Sequence, residues 1–403
     1  MYKLTQLDVW LATSAITLSI IYTVWSTLYN GFLPEPMFYA KSDTFMDFHH
    51  LQYWTYNAGR YTEWKSIYTP FAFILVSLFT DDLPGGPFDL RHDSVIPIIG
   101  FFLVAICLII YFQVKLFVSG NKWLWTAILL TSSPFLFTIE RGNVLLYALC
   151  FLLISIINYK RILLFCFFLA LAASIKIYVI ALLFIPVLNL QILRATITLF
   201  LFILINVISG VLLDDSNWLL FLQNITDFSS VAKHYEWSYF SYSYQNMLSA
   251  STYLHPSYEF IGVIANIFTL STVFLLFGLV SIRYLFLSKH LKQKELNSVA
   301  ALLLMLIMIV VKNSGGYVFI LLFPFLTAMI LNRSTFFMFL LLLVPLELNI
   351  IELDVISHQS YLSGDQVSIS RNITLGMVVR PIFFLTLYVY LSIKFLLRRS
   401  VIV

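Results

Sequence analysis

Lys41–Pro70 reads KSDTFMDFHHLQYWTYNAGRYTEWKSIYTP, the first polar segment of an otherwise apolar chain. It follows the first hydrophobic span and holds Asp43, Asp47, His49, His50, Arg60, Glu63 and Lys65 among aromatics running from Phe45 to Tyr68. Carboxylates, imidazoles and aromatic faces together can hold a sugar, and a carboxylate can take a proton from its hydroxyl. The plainer reading is a partly ordered loop whose tryptophans and tyrosines lie in a membrane interface, where amphipathic rings belong.

The surroundings of this segment fix the class. Of 403 residues, 60% are hydrophobic and 11% charged, with a mean hydropathy of +0.90; a soluble domain carries about 25% charged residues. Apolar windows recur from end to end, which predicts an all-α polytopic membrane protein of about 10–13 transmembrane helices in a single membrane domain over 1–403. The first span begins near residue 7 without a small-residue cleavage site, so it reads as a retained helix. Further spans are expected at about 95–117, 123–138, 143–158, 162–175, 177–190, 196–213, 260–282, 297–312, 315–331, 334–347 and 379–397. Several are shorter than the roughly 20 residues that a perpendicular crossing needs, and 67–80 reads as a re-entrant or interfacial helix.

Lys and Arg near the span ends set the orientation. Lys160–Arg161, Arg283 with Lys289, Lys292 and Lys294, Arg333, and Arg398–Arg399 mark cytoplasmic edges. Counting back from them puts the 30–94, 214–259 and 348–378 loops outside, together with Glu140–Asn143. The net charge of +4 comes without a basic stripe, which argues against a nucleic-acid partner. Cys107, Cys150 and Cys166 sit inside apolar runs and read as packing residues.

The external pieces share a chemistry. Thr138–Asn143, TIERGN, puts Glu140, Arg141 and Asn143 at the mouth of a helix. Ionisable groups at membrane depth are costly and usually face the protein interior; the alternative is a solvated helix-end turn. Lys176, in AASIKIYVI, either snorkels to an interface or offers a cation to a buried anion. Lys312, in VVKNSGGYVF, repeats the situation next to paired glycines. Lys233–Leu248, KHYEWSYFSYSYQNML, offers aromatic faces with Tyr244, Gln245 and Asn246, or forms an amphipathic helix on the membrane surface. Arg380, ahead of Pro381, anchors the last span or meets a phosphate. With no phosphate-cradling glycine loop, no HExxH and no GxSxG, neither a cofactor nor a metal is expected.

A loop aspartate, then aromatics, a glycine and a Y-x-P (Asp47, Gly59 and Tyr68–Pro70 here) resembles the GT-C superfamily of polyprenyl-phosphate-sugar-dependent glycosyltransferases. Glu140–Asn143, Lys176 after an Ala-rich helix, and the S-x-x-N of Ser243–Asn246 are similar to members related to glycosyltransferase family 87. The resemblance implies transfer of one sugar from a polyprenyl phosphate to a glycan or glycolipid acceptor. The site would lie on the external face of a bilayer, expected to be the periplasmic side of a bacterial inner membrane. It implies a direct displacement with an aspartate as general base: Asp47, with Asp43 as the other candidate because both fit the spacing. The candidate substrate-binding set is His50, Arg60, Tyr68, Glu140, Arg141, Asn143, Lys176, Tyr244, Gln245, Asn246, Lys312 and Arg380. Two rivals stand beside this reading, a polysaccharide repeat-unit polymerase and a flippase or transporter for a lipid-linked sugar.

Overall fold

In the computed structural model of the chain, the residues described are 4–30, 44–82, 86, 90, 94–116, 122–215, 217–230, 241–245, 247–248, 259–311, 315–344, 349–351, 355–359, 366–370 and 373–398. They form a polytopic helical membrane protein. Among the described residues, five helices are long and apolar enough to cross a bilayer: α1 (Gln6–Asn30), α4 (Val95–Leu116), α10 (Ile192–Leu212), α12 (Glu259–Leu285) and α16 (Leu375–Leu397). Between α1 and α4 lie α2 (Met46–Thr55) and α3 (Pro70–Ser77); after α4 come α5 (Lys122–Leu130), α6 (Ser133–Glu140), α7 (Leu145–Ile157), α8 (Ile162–Ala173) and α9 (Phe184–Leu188). The rest are α11 (Leu220–Ser230), α13 (Lys289–Val310), α14 (Leu326–Met329) and α15 (Arg333–Leu343).

Local chemistry sets many of these ends. α1 starts at a reciprocal cap: Asp8 accepts from the Thr5 N–H (2.7 Å), and the Asp8 N–H donates to Thr5 Oγ1 (3.3 Å). α3 opens with Pro70, whose missing N–H costs nothing in the first turn. At eight residues, about 12 Å, α3 is too short to cross a bilayer. The run expected as one span at 123–138 is split into α5 and α6, and Pro134 opens the second piece. The runs at 177–190 and 315–331 begin as 3-10 turns, Ile177–Leu183 and Gly316–Phe325, before α9 and α14. Four short strands in the 348–378 loop pair as Asn349–Ile351 with Ile373–Thr374 and Val355–Gln359 with Gln366–Ser370. The sequence reading expected no strands there.

The basic helix ends gather at one end of the molecule. Arg194 Nη1 donates to the Tyr159 carbonyl (3.0 Å) and Tyr159 Oη to Gln191 Oε1 (3.1 Å). Tyr284 Oη reaches Asn189 Oδ1 (2.8 Å), Arg283 Nη1 reaches the Leu396 carbonyl (2.7 Å), and Arg398 pairs with Glu295 (2.6 Å). From this basic end α10 rises 21 residues, about 31 Å. The α7–α8 hairpin, turning at Asn158–Arg161, has arms of 13 and 12 residues, about 20 Å. Asn206 of α10 donates to Ser174 Oγ at the tip of that hairpin (2.9 Å). The tip therefore stops about 9 Å short of the far end of α10, six residues above Asn206.

At that far end, Arg60 ties the first loop to α10. Its Nη1 meets Asp215 Oδ2 at 2.9 Å, with both side chains 4% exposed. Its Nε and Nη2 donate to the carbonyls of Trp54 (2.7 Å) and Thr55 (3.0 Å). Asn224 adds bonds to the carbonyls of Tyr61 and Ser66, 3.0 Å each. Removing one partner of a buried pair leaves a buried charge without its counter-ion, which typically costs about 3–5 kcal/mol, whereas replacing both is far milder. Arg60→Met is therefore expected to lower the thermal unfolding midpoint in detergent markedly, and the double variant R60M/D215L to recover most of the loss. Equal losses in both variants would mean that the pair is not the clamp.

Candidate active site

The site forms where the first loop meets the turn after α6. Backbone bonds join them first: the Phe45 N–H donates to the Glu140 carbonyl (2.7 Å) and the Asp47 N–H to the Arg141 carbonyl (2.9 Å). Gly142 makes this approach possible. Its φ is +69°, and an added Cβ would fall 2.8 Å from Phe48 Cβ and 2.9 Å from the Phe45 carbonyl oxygen. ERGN needs its glycine for the left-handed turn and for the closeness of the loop.

Side chains then complete the junction. Arg141 Nη2 donates to Asp47 Oδ1 (2.9 Å) and Asn143 Nδ2 to Asp47 Oδ2 (2.7 Å). Asn143 is itself held, since its Oδ1 accepts from the Leu145 N–H (3.0 Å) at the start of α7 and its Nδ2 also lies 3.3 Å from Tyr68 Oη. Lys176, in the break between α8 and the following 3-10 turn, lies with Nζ 4.3 Å from the centre of the Tyr68 ring and 5.7 Å from that of Tyr317. Cation–π contacts of this kind hold an ammonium in place without a counter-ion. Thr69 Oγ1 donates to the Ser174 carbonyl, pinning the Tyr68 loop to the same hairpin tip.

The electrostatics follow from this packing. Burial pushes the Asp47 carboxyl up, but the Arg141 charge, the hydrogen bonds from Arg141 and Asn143 and the Lys176 charge outweigh it and hold the group below its ordinary value. Burial lowers Lys176 to about 8 against the opposing pull of Asp47. Burial, then the Asp47 charge, pushes Tyr68 well up, so it stays a neutral phenol. The cluster thus presents one ionised carboxylate and two cations, 12–19% exposed for the Arg141–Asp47 pair, next to the Ser174 contact with Asn206 of α10.

A cavity of about 550 Å³ adjoins the cluster, with Thr44, Phe45 and His49 on one side and Ile98, Phe102 and Ile106 of α4 on the other. Its α4 rim runs into lipid-facing residues, Ile99 and Leu103 being more than half exposed. The cavity is apolar except at Thr44 and His49, residues of the turn that carries Asp47.

The profile described as glycosyltransferase family 87 matches residues 67–311, more than half of the chain. The chain belongs to glycosyltransferase family 87. No curated protein and no solved structure matches it. Within the family 87 match fall Tyr68, Glu140–Asn143, Lys176 and Ser243–Asn246, whereas Asp47 precedes it; geometry joins Asp47 to the matched residues.

Of the residues expected at the site in this family 87 chain, Asp47, Tyr68, Arg141, Asn143 and Lys176 come together. Glu140 is buried beside them, with Oε1 3.4 Å from Thr44 Oγ1. His50 stacks on Trp54 with ring centres 5.3 Å apart. Arg60 spends its donors on Asp215 and backbone carbonyls at the loop clamp. Gln245 bonds to Asn266, and Tyr244 packs half-buried against the core. Arg380 is fully buried in α16, its guanidinium against Gly376. Asp43, Asn246 and Lys312 lie outside the described residues. Sequence reasoning missed Tyr317, whose ring forms the second wall around Lys176. The signal was the paired glycine before it: Gly315 lies so close to the Tyr317 ring that a Cβ would collide with it.

Proposed function

We propose that this glycosyltransferase moves one sugar from a polyprenyl-phosphate donor to a glycan or glycolipid acceptor at the external face of a plasma membrane, with Asp47 as general base. The observation that carries the reading is the pairing of one ionised carboxylate with two cations, Arg141 and Lys176, in a largely buried cluster. A donor that already carries a phosphate leaving group needs no acid to expel it. Asp47 takes the proton of the acceptor hydroxyl, and the acceptor oxygen attacks the anomeric carbon. The carbon–oxygen bond to phosphate breaks with its electron pair on the phosphate oxygen, so polyprenyl phosphate leaves and the anomeric centre inverts. Arg141 and Lys176 meet the charge that grows on that oxygen, the kind of electrostatic help that contributes most in a water-poor site. The apolar cavity against α4 suits a substrate whose chain stays in the bilayer, and we assign that cavity to the prenyl chain of the donor.

The test is mass spectrometry of surface glycans from cells with and without the gene. The reading expects one sugar, and whatever is built upon it, to be missing from the glycans of the deletion strain. An unchanged repeat unit with an altered chain-length distribution would point to a polymerase instead. Accumulation of a complete lipid-linked glycan at the inner face would point to a flippase.

A further inference from the structure

In the ground state, the base that the proposed function needs is occupied. Oδ1 of Asp47 is bound by a guanidinium and Oδ2 by an amide, so the carboxylate is held as an anion and is a poor proton acceptor. We propose that Arg141 exchanges partners when the donor binds, leaving Asp47 for the phosphodiester, so that the donor itself frees and strengthens the base. This inference rests on the reading of Asp47 as base and goes beyond it by making the activation of Asp47 depend on the donor.

Three observations carry it. First, the two hydrogen bonds on Asp47 differ in kind. Asn143 is fixed by the Leu145 N–H and lies beside Tyr68 Oη, so it keeps Asp47 oriented when Arg141 leaves; Asn143 is a positioning residue. Second, the Arg141 backbone is anchored by its carbonyl to the Asp47 N–H, so only the guanidinium has to swing. A planar guanidinium matches a phosphate through two parallel N–H bonds, which favours the exchange. Third, Lys176 faces aromatic rings and, among the described residues, makes no ion pair. It marks where an anion is wanted, and Arg141 acts on the same carboxylate, Asp47, as Lys176 does. The groups facing Asp47 are therefore Arg141, Lys176, Tyr68 and Tyr317, with His49 and His50 on its own helix and Glu140 on the turn.

If Arg141 leaves Asp47 and a phosphodiester anion settles nearby, the affinity of Asp47 for a proton rises, and binding takes up protons from solution. The measurement is isothermal titration calorimetry of purified protein in buffers of different ionisation enthalpy, using farnesyl methyl phosphate. That probe is a phosphodiester with a prenyl chain and no sugar, so it cannot react and does not titrate here. The pH is set at about 5, above the ordinary carboxylate range and below that of histidine. Wild type is expected to take up protons on binding, Asp47→Asn to lose that uptake, and Arg141→Gln to bind more weakly with less uptake, since its pair is already broken. Equal uptake in wild type and Asp47→Asn overturns the exchange. Should Asp47→Asn fail to bind the probe, equal uptake in wild type and Arg141→Gln overturns it instead. A sugar-transfer assay separates the two readings. Inactive Asp47→Asn with equal uptake removes the exchange and keeps the base, whereas active Asp47→Asn removes the base and with it the purpose of the exchange.

Discussion

Asp47→Asn is expected to lower the turnover of sugar transfer by about 10²–10⁴-fold, the usual contribution of a positioned general base. Asparagine keeps the size of the side chain and accepts from Arg141, but it cannot take a proton at working pH. The asparagine oxygen still accepts from the Arg141 guanidinium, which is 12% exposed, so that group keeps a hydrogen-bond partner and protein levels should hold. Initial rates on purified protein, with donor binding measured alongside, check the prediction. Asp43→Asn and Glu140→Gln are the comparison. Glu140 is engaged by Thr44 and contributes its backbone carbonyl to Phe45, so its carboxylate is placed to support the turn. A dead Glu140→Gln beside a normal Asp47→Asn would transfer the catalytic role to the other carboxylate.

Lys176→Met is expected to cost about 10²–10³-fold in turnover, on the scale of removing one donor from a site of developing negative charge. Methionine keeps the length of the stem and its packing between Tyr68 and Tyr317, so the lost quantity is the charge. The same residue sets an alkaline limit. Burial lowers Lys176 to about 8, so the cation predominates below that pH and is lost as pH rises through it. The kcat/KM for the donor, which reports the free enzyme, should therefore fall on the alkaline side near pH 8 in wild type. The kcat limb should lie higher, because a bound phosphate stabilises the ammonium. A Lys176→Met enzyme that retains both normal turnover and the alkaline fall would assign Lys176 to packing alone.

The helical membrane fold was legible because hydropathy reports burial in lipid directly, and the long helices begin within a few residues of where apolar windows begin. What hydropathy cannot report is how deep a run goes. The runs at 143–158, 162–175 and 177–190 read as crossings, yet their helices are about 20 Å or shorter, and Lys176 lies buried at the break between two of them. The site was legible as two separate stretches. Nothing local announces that Asp47 bonds to residues 94 and 96 positions away; the contact depends on the left-handed turn at Gly142 and on backbone pairing across the gap. Arg60 shows a different limit of reading side chains one stretch at a time. A charged residue in the same loop looked fit for a substrate, but its fork is filled by Asp215 and by the Trp54 and Thr55 carbonyls at the end of α2.

The central claim is that a sugar leaves its polyprenyl phosphate at the Asp47–Arg141–Lys176 cluster. It is tested most directly with purified protein in lipid nanodiscs, a panel of polyprenyl-phosphate sugars labelled separately on sugar and phosphate, and a glycolipid extract as acceptor. For one donor of the panel, wild type should move the sugar label to the acceptor and leave the phosphate label on the prenyl chain, while Asp47→Asn leaves both labels together. Transfer of both labels to the acceptor, transfer only from nucleotide sugars, or equal rates in wild type and Asp47→Asn would contradict the account.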